Sequence, residues 1–355
     1  MTNDNVSVKN EIGLNGIEFI EFTSPQPDAL HKLFSNFGFS KLAVHSAKKV
    51  DYYNQNDIHL LLNREPNSFA DTFCKTHGPS ICSMGWRVQN AAEALKLAVS
   101  RGATIAKKVD YPLPAIVGIG ESLIYFIEDT KKTSQDISHN NIRYEKLGFK
   151  KLEEPTLVTE KRFLAIDHLT NNVPQGTMEK WAKFYKEIFG FTEVRYFDIK
   201  GAKTGLQSYA LRSPCGKFCI PINEGTEKKS QINEYLDEYK GPGIQHLAFL
   251  TDDILVSLKR LEGTGIETLD IDDEYYESVF DRVPNVTEDK KVIQKYKVLV
   301  DGDEEGYLLQ IFTKNIVGPI FIEIIQRKNH HSFGEGNFGA LFRSIERDQQ
   351  KRGYL

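Results

Sequence analysis

A glutamate sits inside an apolar run, Phe321-Ile322-Glu323-Ile324-Ile325-Gln326-Arg327. A carboxylate among branched aliphatic side chains is costly to bury unless a metal, a partner charge or a proton compensates it. Two histidines occupy similar settings upstream, in Ile166-Asp167-His168-Leu169 and Ile244-Gln245-His246-Leu247-Ala248-Phe249. Each stretch reads as a β-strand. Two imidazoles and one carboxylate form the facial triad that holds non-haem Fe(II) and leaves coordination positions open for substrate and oxygen. His168, His246 and Glu323 are therefore the candidate metal ligands. Zinc accepts the same set, and a histidine on an apolar strand can also be a satisfied core residue, so the residue types alone leave both alternatives open. Strand alternation puts Phe321, Glu323 and Ile325 on one face and Ile320, Ile322 and Ile324 on the other.

The elements that must position these residues recur along the chain. Ile17-Glu18-Phe19, the stretch Asp28 to Phe34 and Phe37-Gly38-Phe39 are echoed by Ile166-Asp167-His168, the stretch Lys180 to Tyr185 and Phe189-Gly190-Phe191. Each is a strand, a loop and an amphipathic helix stopped by glycine. In the second copy Met178, Trp181, Phe184/Tyr185 and Ile188 form the apolar stripe, Thr177 is placed to cap the start and Gly190 to end it. Ile81 to Trp86 with the helix Ala91 to Arg101 is likewise echoed by Ile244 to Phe249 with the helix Ile254 to Glu262. In this alignment His168 faces Phe19 and His246 faces Ser83, while Tyr125-Phe126-Ile127-Glu128 echoes Ile320-Phe321-Ile322-Glu323. The first half keeps the scaffold and lacks both histidines. Such repetition predicts duplicated units of one fold. The predicted division is an N-terminal domain over 1–130, a partly irregular linker over 131–160 carrying Glu153-Glu154-Pro155, and a C-terminal domain over 161–355.

Composition excludes several classes. The 355 residues carry 45 Lys+Arg against 49 Asp+Glu, a formal net charge of −4, and no basic excess that would suit nucleic acid. Apolar stretches such as Gly318 to Ile325 are too short to span a bilayer, and the first residues lack the layout of a secretory signal. Cys74, Cys82, Cys215 and Cys219 form no C-x-x-C pair and read as small buried residues in a reducing cytoplasm. From Asn337 onward Phe338, Leu341, Phe342 and Ile345 fall at i, i+3, i+4 and i+7, which predicts a helix over 337–352 with Asn337 as its cap and Gly334, Gly336 and Gly339 around its start. His330 and His331 read as a solvated loop pair rather than ligands.

Several long motifs resemble 4-hydroxyphenylpyruvate dioxygenases: Leu309-Gln310-Ile311-Phe312-Thr313-Lys314, Phe321 to Arg327, Gly334-Glu335-Gly336-Asn337-Phe338, Pro221-Ile222-Asn223-Glu224, Lys229-Ser230-Gln231-Ile232 and Gly243 to Ala248. The resemblance covers essentially the whole chain. It implies an α+β fold of two vicinal-oxygen-chelate domains, built from repeated βαβββ units curled into open barrels, with a C-terminal lid helix. It implies one Fe(II) per chain, held only in the C-terminal domain by His168, His246 and Glu323. It implies a cytoplasmic enzyme of tyrosine breakdown, working as a dimer or tetramer. The α-keto acid substrate would react with O2 to give homogentisate and CO2, without 2-oxoglutarate, because the substrate carries its own keto acid. By family position Gln310, Phe312, Asn223 and Ser208 would serve catalysis, Ser208 and Asn223 at the phenol end. Gln231, Gln245, Pro221, Phe321, Phe333, Asn337 and Phe338 would contact substrate, with Phe333 and Phe338 closing on the ring. Gln245 is the awkward one, since regular alternation points it away from His246; it reaches the substrate only through a bulge or other residues. The rivals are a 4-hydroxymandelate synthase acting on the same substrate, from which the bulk of Phe312 argues away, an extradiol catechol dioxygenase, and a metal-free small-molecule-binding protein on this scaffold.

Overall fold

The computed structural model describes residues 9–129, 144–200 and 204–355. Two eight-stranded sheets dominate it. The first contains β1 (Leu14–Thr23), β2 (Ser40–His45), β3 (Val50–Gln55), β4 (Ile58–Asn63), β5 (Ser80–Val88), β6 (Ala115–Val117), β7 (Leu123–Glu128) and β8 (Phe149–Thr156), in the order β6-β7-β5-β1-β4-β3-β2-β8. The second contains β9 (Phe163–Asn172), β10 (Thr192–Lys200), β11 (Gly205–Arg212), β12 (Cys219–Gly225), β13 (Gly243–Thr251), β14 (Leu299–Gly302), β15 (Tyr307–Phe312) and β16 (Phe321–Lys328), in the order β10-β11-β12-β9-β13-β16-β15-β14.

The repeat seen in the sequence is a repeat of pairing. β1 lies antiparallel to β5 and parallel to β4, and β9 lies antiparallel to β13 and parallel to β12. β5 runs parallel to β7 as β13 does to β16. Three of the quarters are complete βαβββ units; the β5 quarter has only β6 and β7 after its helix among the described residues. Part of the predicted linker is strand: β8 pairs with β2 and extends the first sheet, while 130–143 lie outside the described residues. The charged pairs Lys150-Lys151 and Glu153-Glu154 there mark an edge strand exposed on most of its length, which composition alone does not distinguish from a loop.

Apolar stripes seat the helices. Met178–Phe189 buries Met178, Ala182, Tyr185, Ile188 and Phe189, and ends at Gly190 with φ 76°, a left-handed conformation that glycine adopts without strain. Thr177 does not cap this helix. Its hydroxyl donates to the Pro174 carbonyl, and the Glu224 carboxylate accepts from the Gly176 and Met178 amides at 2.9 and 3.1 Å instead. A charged acceptor at the positive end of the helix displaces the local hydroxyl.

Apolar side chains from both sheets form one continuous core. Trp86 of β5 packs against Phe189, Phe191 and Phe218, and Phe249 of β13 packs against Phe37 and Phe39. Among the described residues no helix is long and apolar enough to cross a membrane.

Candidate metal centre and substrate pocket

Three adjacent central strands of the second sheet carry the triad. Cα pairing sets His168 of β9, Ala248 of β13 and Glu323 of β16 in one row. The next row is Thr170, His246 and Phe321. The methyl of Ala248 therefore separates His168 from Glu323, and its small size leaves space between them. One donor atom from each of His168, His246 and Glu323 lies within 4.8 Å of the others. His168 Nε2 is 3.0 Å and His246 Nε2 3.5 Å from Glu323 Oε2. The carboxylate is 3% exposed.

The surroundings suit a cation. His168 Nδ1 is bonded to Asp167 Oδ2 at 2.7 Å, which turns Nε2 toward the triad, and His246 Nδ1 lies 3.3 Å from Gln245 Oε1. Burial disfavours charge on His168, but Glu323 and Asp167 on its two sides outweigh burial and hold its pKa up at about 9. Burial, and then the His168 charge, push His246 well below its ordinary value. Burial raises the Asp167 carboxyl, yet Arg327 and then His168 outweigh it and hold it well below the usual range. Carboxylates thus press positive charge onto the His168 imidazole in a dry setting while His246 stays neutral, and a divalent ion at the two Nε2 atoms would take the place of that proton. The donor set fits Fe(II), although chemistry of this kind also admits zinc.

A cavity of about 100 Å³ opens above the triad. Seven of the eight strands of this sheet contribute to its wall, from His168 on β9 and Phe197 on β10 to Gln310 on β15, so the sheet curls around it. Ser208 and Asn223 stand opposite one another on β11 and β12, with Pro221 beside them, and all three line the cavity. So do Gln231, at the start of the Gln231–Tyr239 helix, and Gln245, Gln310, Phe312, Phe321, Phe333 and Phe338. Phe312 is paired with Glu323 across β15 and β16. Phe321 stacks on the His246 ring at 4.7 Å, and Phe333 meets the His168 ring edge-on at 5.7 Å.

The pairing of β13 with β9 shifts register between Ile244 and His246. This irregularity brings the consecutive residues Gln245 and His246 to the same cavity, which regular alternation forbids. The C-terminal helix, Phe338–Lys351, lays Phe338, Leu341, Phe342 and Ile345 over the mouth, the stripe read from the sequence.

Asn337 behaves otherwise than expected. It makes no side-chain cap and is not among the residues lining the cavity. Its Oδ1 accepts from Tyr275 at 2.6 Å and Arg282 at 3.3 Å, which fixes the start of the helix from below. Glu128 also leaves the role its sequence echo gave it. It pairs with Val88 at an exposed strand end, and the position matching Glu323 is Tyr125, paired with Gly85. Sequence reading missed Thr170, Phe197, Ile199 and Leu206 in the wall; Phe197 and Ile199 carry a period-two signal on β10.

With this geometry in hand, comparisons place the chain. The family described as hydroxyphenylpyruvate dioxygenase, N-terminal, matches residues 8–145, and the glyoxalase/bleomycin resistance protein/dioxygenase superfamily matches residues 165–311. Protein MelA of Shewanella colwelliana is 60% identical over 98% of this chain and 99% of its own length. A 4-hydroxyphenylpyruvate dioxygenase of Legionella pneumophila is 44% identical, covering 98% of each chain. Among solved structures, a substituted 4-hydroxymandelate synthase from Streptomyces coelicolor superposes with TM-score 0.79 at 25% identity, covering 95% of this chain and 99% of that one. A fusion of a xylose isomerase-like TIM barrel with a 4-hydroxyphenylpyruvate dioxygenase gives 0.78 at 29% identity, covering 94% of this chain, which spans about half (52%) of the fused one. Similarity of this depth along the whole length means that the chain belongs to the 4-hydroxyphenylpyruvate dioxygenase family.

Proposed function

We propose that this enzyme converts 4-hydroxyphenylpyruvate and O2 to homogentisate and CO2, with one Fe(II) per chain on His168, His246 and Glu323. The observation that carries the reading is the buried triad at the base of a cavity walled by Phe312, Phe321, Phe333 and Phe338 and edged by three glutamines, Gln231, Gln245 and Gln310. When bound, the ferrous ion supplies chelation of the keto acid and activation of O2. The protein supplies placement. The aromatic wall holds the substrate ring flat against Phe312, and the paired Ser208 and Asn223 offer hydrogen bonds to the phenol at the far end. The glutamine amides orient the polar side chain, and the Phe338–Lys351 helix keeps water out while the ring reacts. Both oxygen atoms enter products, one in the new carboxylate and one on the ring, and the side chain shifts to the neighbouring ring carbon. With homogentisate as its product, the enzyme would serve tyrosine breakdown.

Likeness to a 4-hydroxymandelate synthase makes benzylic hydroxylation the specific alternative. Mass spectrometry of the products formed from Fe(II), 4-hydroxyphenylpyruvate and O2 separates them. Homogentisate with released CO2 is expected; 4-hydroxymandelate as the main product would overturn the reading.

A further inference from the structure

Arg327 lies at the end of β16, four residues beyond the ligand Glu323, yet its contacts lead in two directions. Toward the metal site, Nε and Nη2 donate to the two oxygens of Asp167 at 2.7 and 2.8 Å, and Asp167 holds His168 Nδ1. Toward the lid, Nη1 donates to the Ser332 carbonyl at 2.6 Å and the His330 carbonyl at 3.2 Å. The guanidinium also sits 5.9 Å from the centre of the Phe333 ring. The segment held in this way reaches the cavity through Phe333. A Cβ on Gly334 would lie 2.4 Å from Gln310 Nε2, and Phe333 reaches the His168 ring. Its far end is fixed separately, where the Gly336 amide donates to Asp301 and Asn337 bonds Tyr275.

A planar guanidinium can serve a carboxylate with one edge and two carbonyls with the other while keeping a fixed angle between them. The Asp167 carboxylate thus meets His168 on one side and Arg327 on the other, and Arg327 in turn gathers the loop carbonyls. The first half offers an internal comparison: Arg87 also donates through Nε to a buried carboxylate, Glu18, the residue beside Phe19, but its two Nη atoms grip the Asp57 carboxylate rather than a segment near a cavity.

We propose that Arg327 is a positioning residue that couples ligation at His168 to closure of the 330–337 segment and the helix that follows it. A cation on His168 Nε2 strengthens donation from Nδ1 to Asp167 and fixes the fork, and the fork then holds Phe333 over the pocket. Linkage makes the effect reciprocal: a closed segment tightens the metal site by the same factor. The inference rests on the metal reading of the triad and is independent of which product forms.

Hydrogen exchange of peptides spanning 330–351, measured anaerobically with and without Fe(II), tests it beside Fe(II) affinity. In the unaltered enzyme, iron should slow exchange in this segment. Arg327→Met should abolish that iron dependence and weaken Fe(II) affinity by about 10- to 100-fold, the usual effect of losing a residue behind the ligands. Arg327→Lys, which keeps charge without the fork, should resemble Arg327→Met. Asp167→Asn, which keeps shape and removes the charge the fork grips, serves should Arg327→Met fail to fold, and should lose the iron dependence too. Iron-dependent protection that survives in these variants would overturn the proposal, as would its absence in the unaltered enzyme with iron bound. An unaltered enzyme that binds no Fe(II) would instead refute the metal reading. Oxygen consumed per product formed should rise in Arg327→Lys, a change that a purely structural role would not produce.

Discussion

The two sheets place different residues at the same backbone positions. Where the second has the rows His168–Ala248–Glu323 and Thr170–His246–Phe321, the first has Phe19–Gly85–Tyr125 and Glu21–Ser83–Leu123. One framework thus carries the candidate metal triad in one half and packed aromatic core in the other. The Phe19 ring takes the central space because Gly85 gives it up: a Cβ there would lie 2.6 Å from the ring. Tyr111 and Tyr125 close around Phe19. The first half still buries a carboxylate, Glu21, one row from the position matching the triad. It is satisfied by neutral donors, Tyr111 Oη at 2.6 Å, Asn63 Nδ2 at 2.8 Å and the Ser83 hydroxyl, and no histidine is among them. A shared register therefore does not by itself bring metal donors together; in the second half imidazole and carboxylate face one another across Ala248, with a cavity above.

The comparison breaks most visibly at the ligands. His168→Ala, His246→Ala and Glu323→Ala should each reduce turnover to background and lower iron per chain, because the facial geometry needs all three. Phe19→Ala at the matching position should instead cost about 3–5 kcal/mol of stability as a cavity opens, with iron per folded chain unchanged. Metal analysis beside denaturant unfolding checks both, and an iron-free but folded Phe19→Ala protein would mean that the first half serves the site directly.

Gly85→Ala should be milder, about 1–3 kcal/mol from overpacking against Phe19, with the ratio of homogentisate to oxygen unaltered. In the second half a comparable change of volume should alter chemistry rather than stability. Phe312→Ile opens space beside the substrate ring and should divert part of the product to 4-hydroxymandelate. Chromatography of the products reads this, and an unchanged ratio with turnover retained would show that Phe312 does not steer the ring.

The smallest effect concerns Glu21. Burial and then the Asp110 charge raise its pKa, against the hydrogen bonds that lower it. The folded state then holds this proton to higher pH than the unfolded chain, so the stability it contributes is full below the ordinary carboxylate value and fades as pH rises through the folded one. Glu21→Gln, always neutral, should match the parent near pH ~4 and melt higher by pH ~8, since unfolded glutamate titrates near ~4.3. Thermal melts across that range decide it; a deficit that is constant with pH would mean Glu21 is ionised throughout.

Much of this was legible from residue order. The triad showed itself because charged or titratable groups stand out on apolar strands, and the helix over the pocket because its stripe has helical period. What stayed hidden depends on register or on partners distant in sequence. Glu128 resembles Glu323 in its neighbours, but three residues of slip put Tyr125 in the matching place. Asn337 and Thr177 have cap chemistry, yet Tyr275 with Arg282 and Glu224 with its carboxylate compete for the same groups and win. The Gln245 irregularity is a property of pairing between β9 and β13, and no local pattern announces it.

The aromatic seam of Trp86 with Phe189, Phe191 and Phe218 has a consequence for how the molecule fails. Rings from both halves pack into one core, so neither half can melt and leave its neighbour's interior dry. Calorimetry should show a single cooperative endotherm rather than two, with loss of turnover inside it. The two halves then share one heat tolerance, so a substitution that loosens the first half's core reaches turnover through the stability of the second.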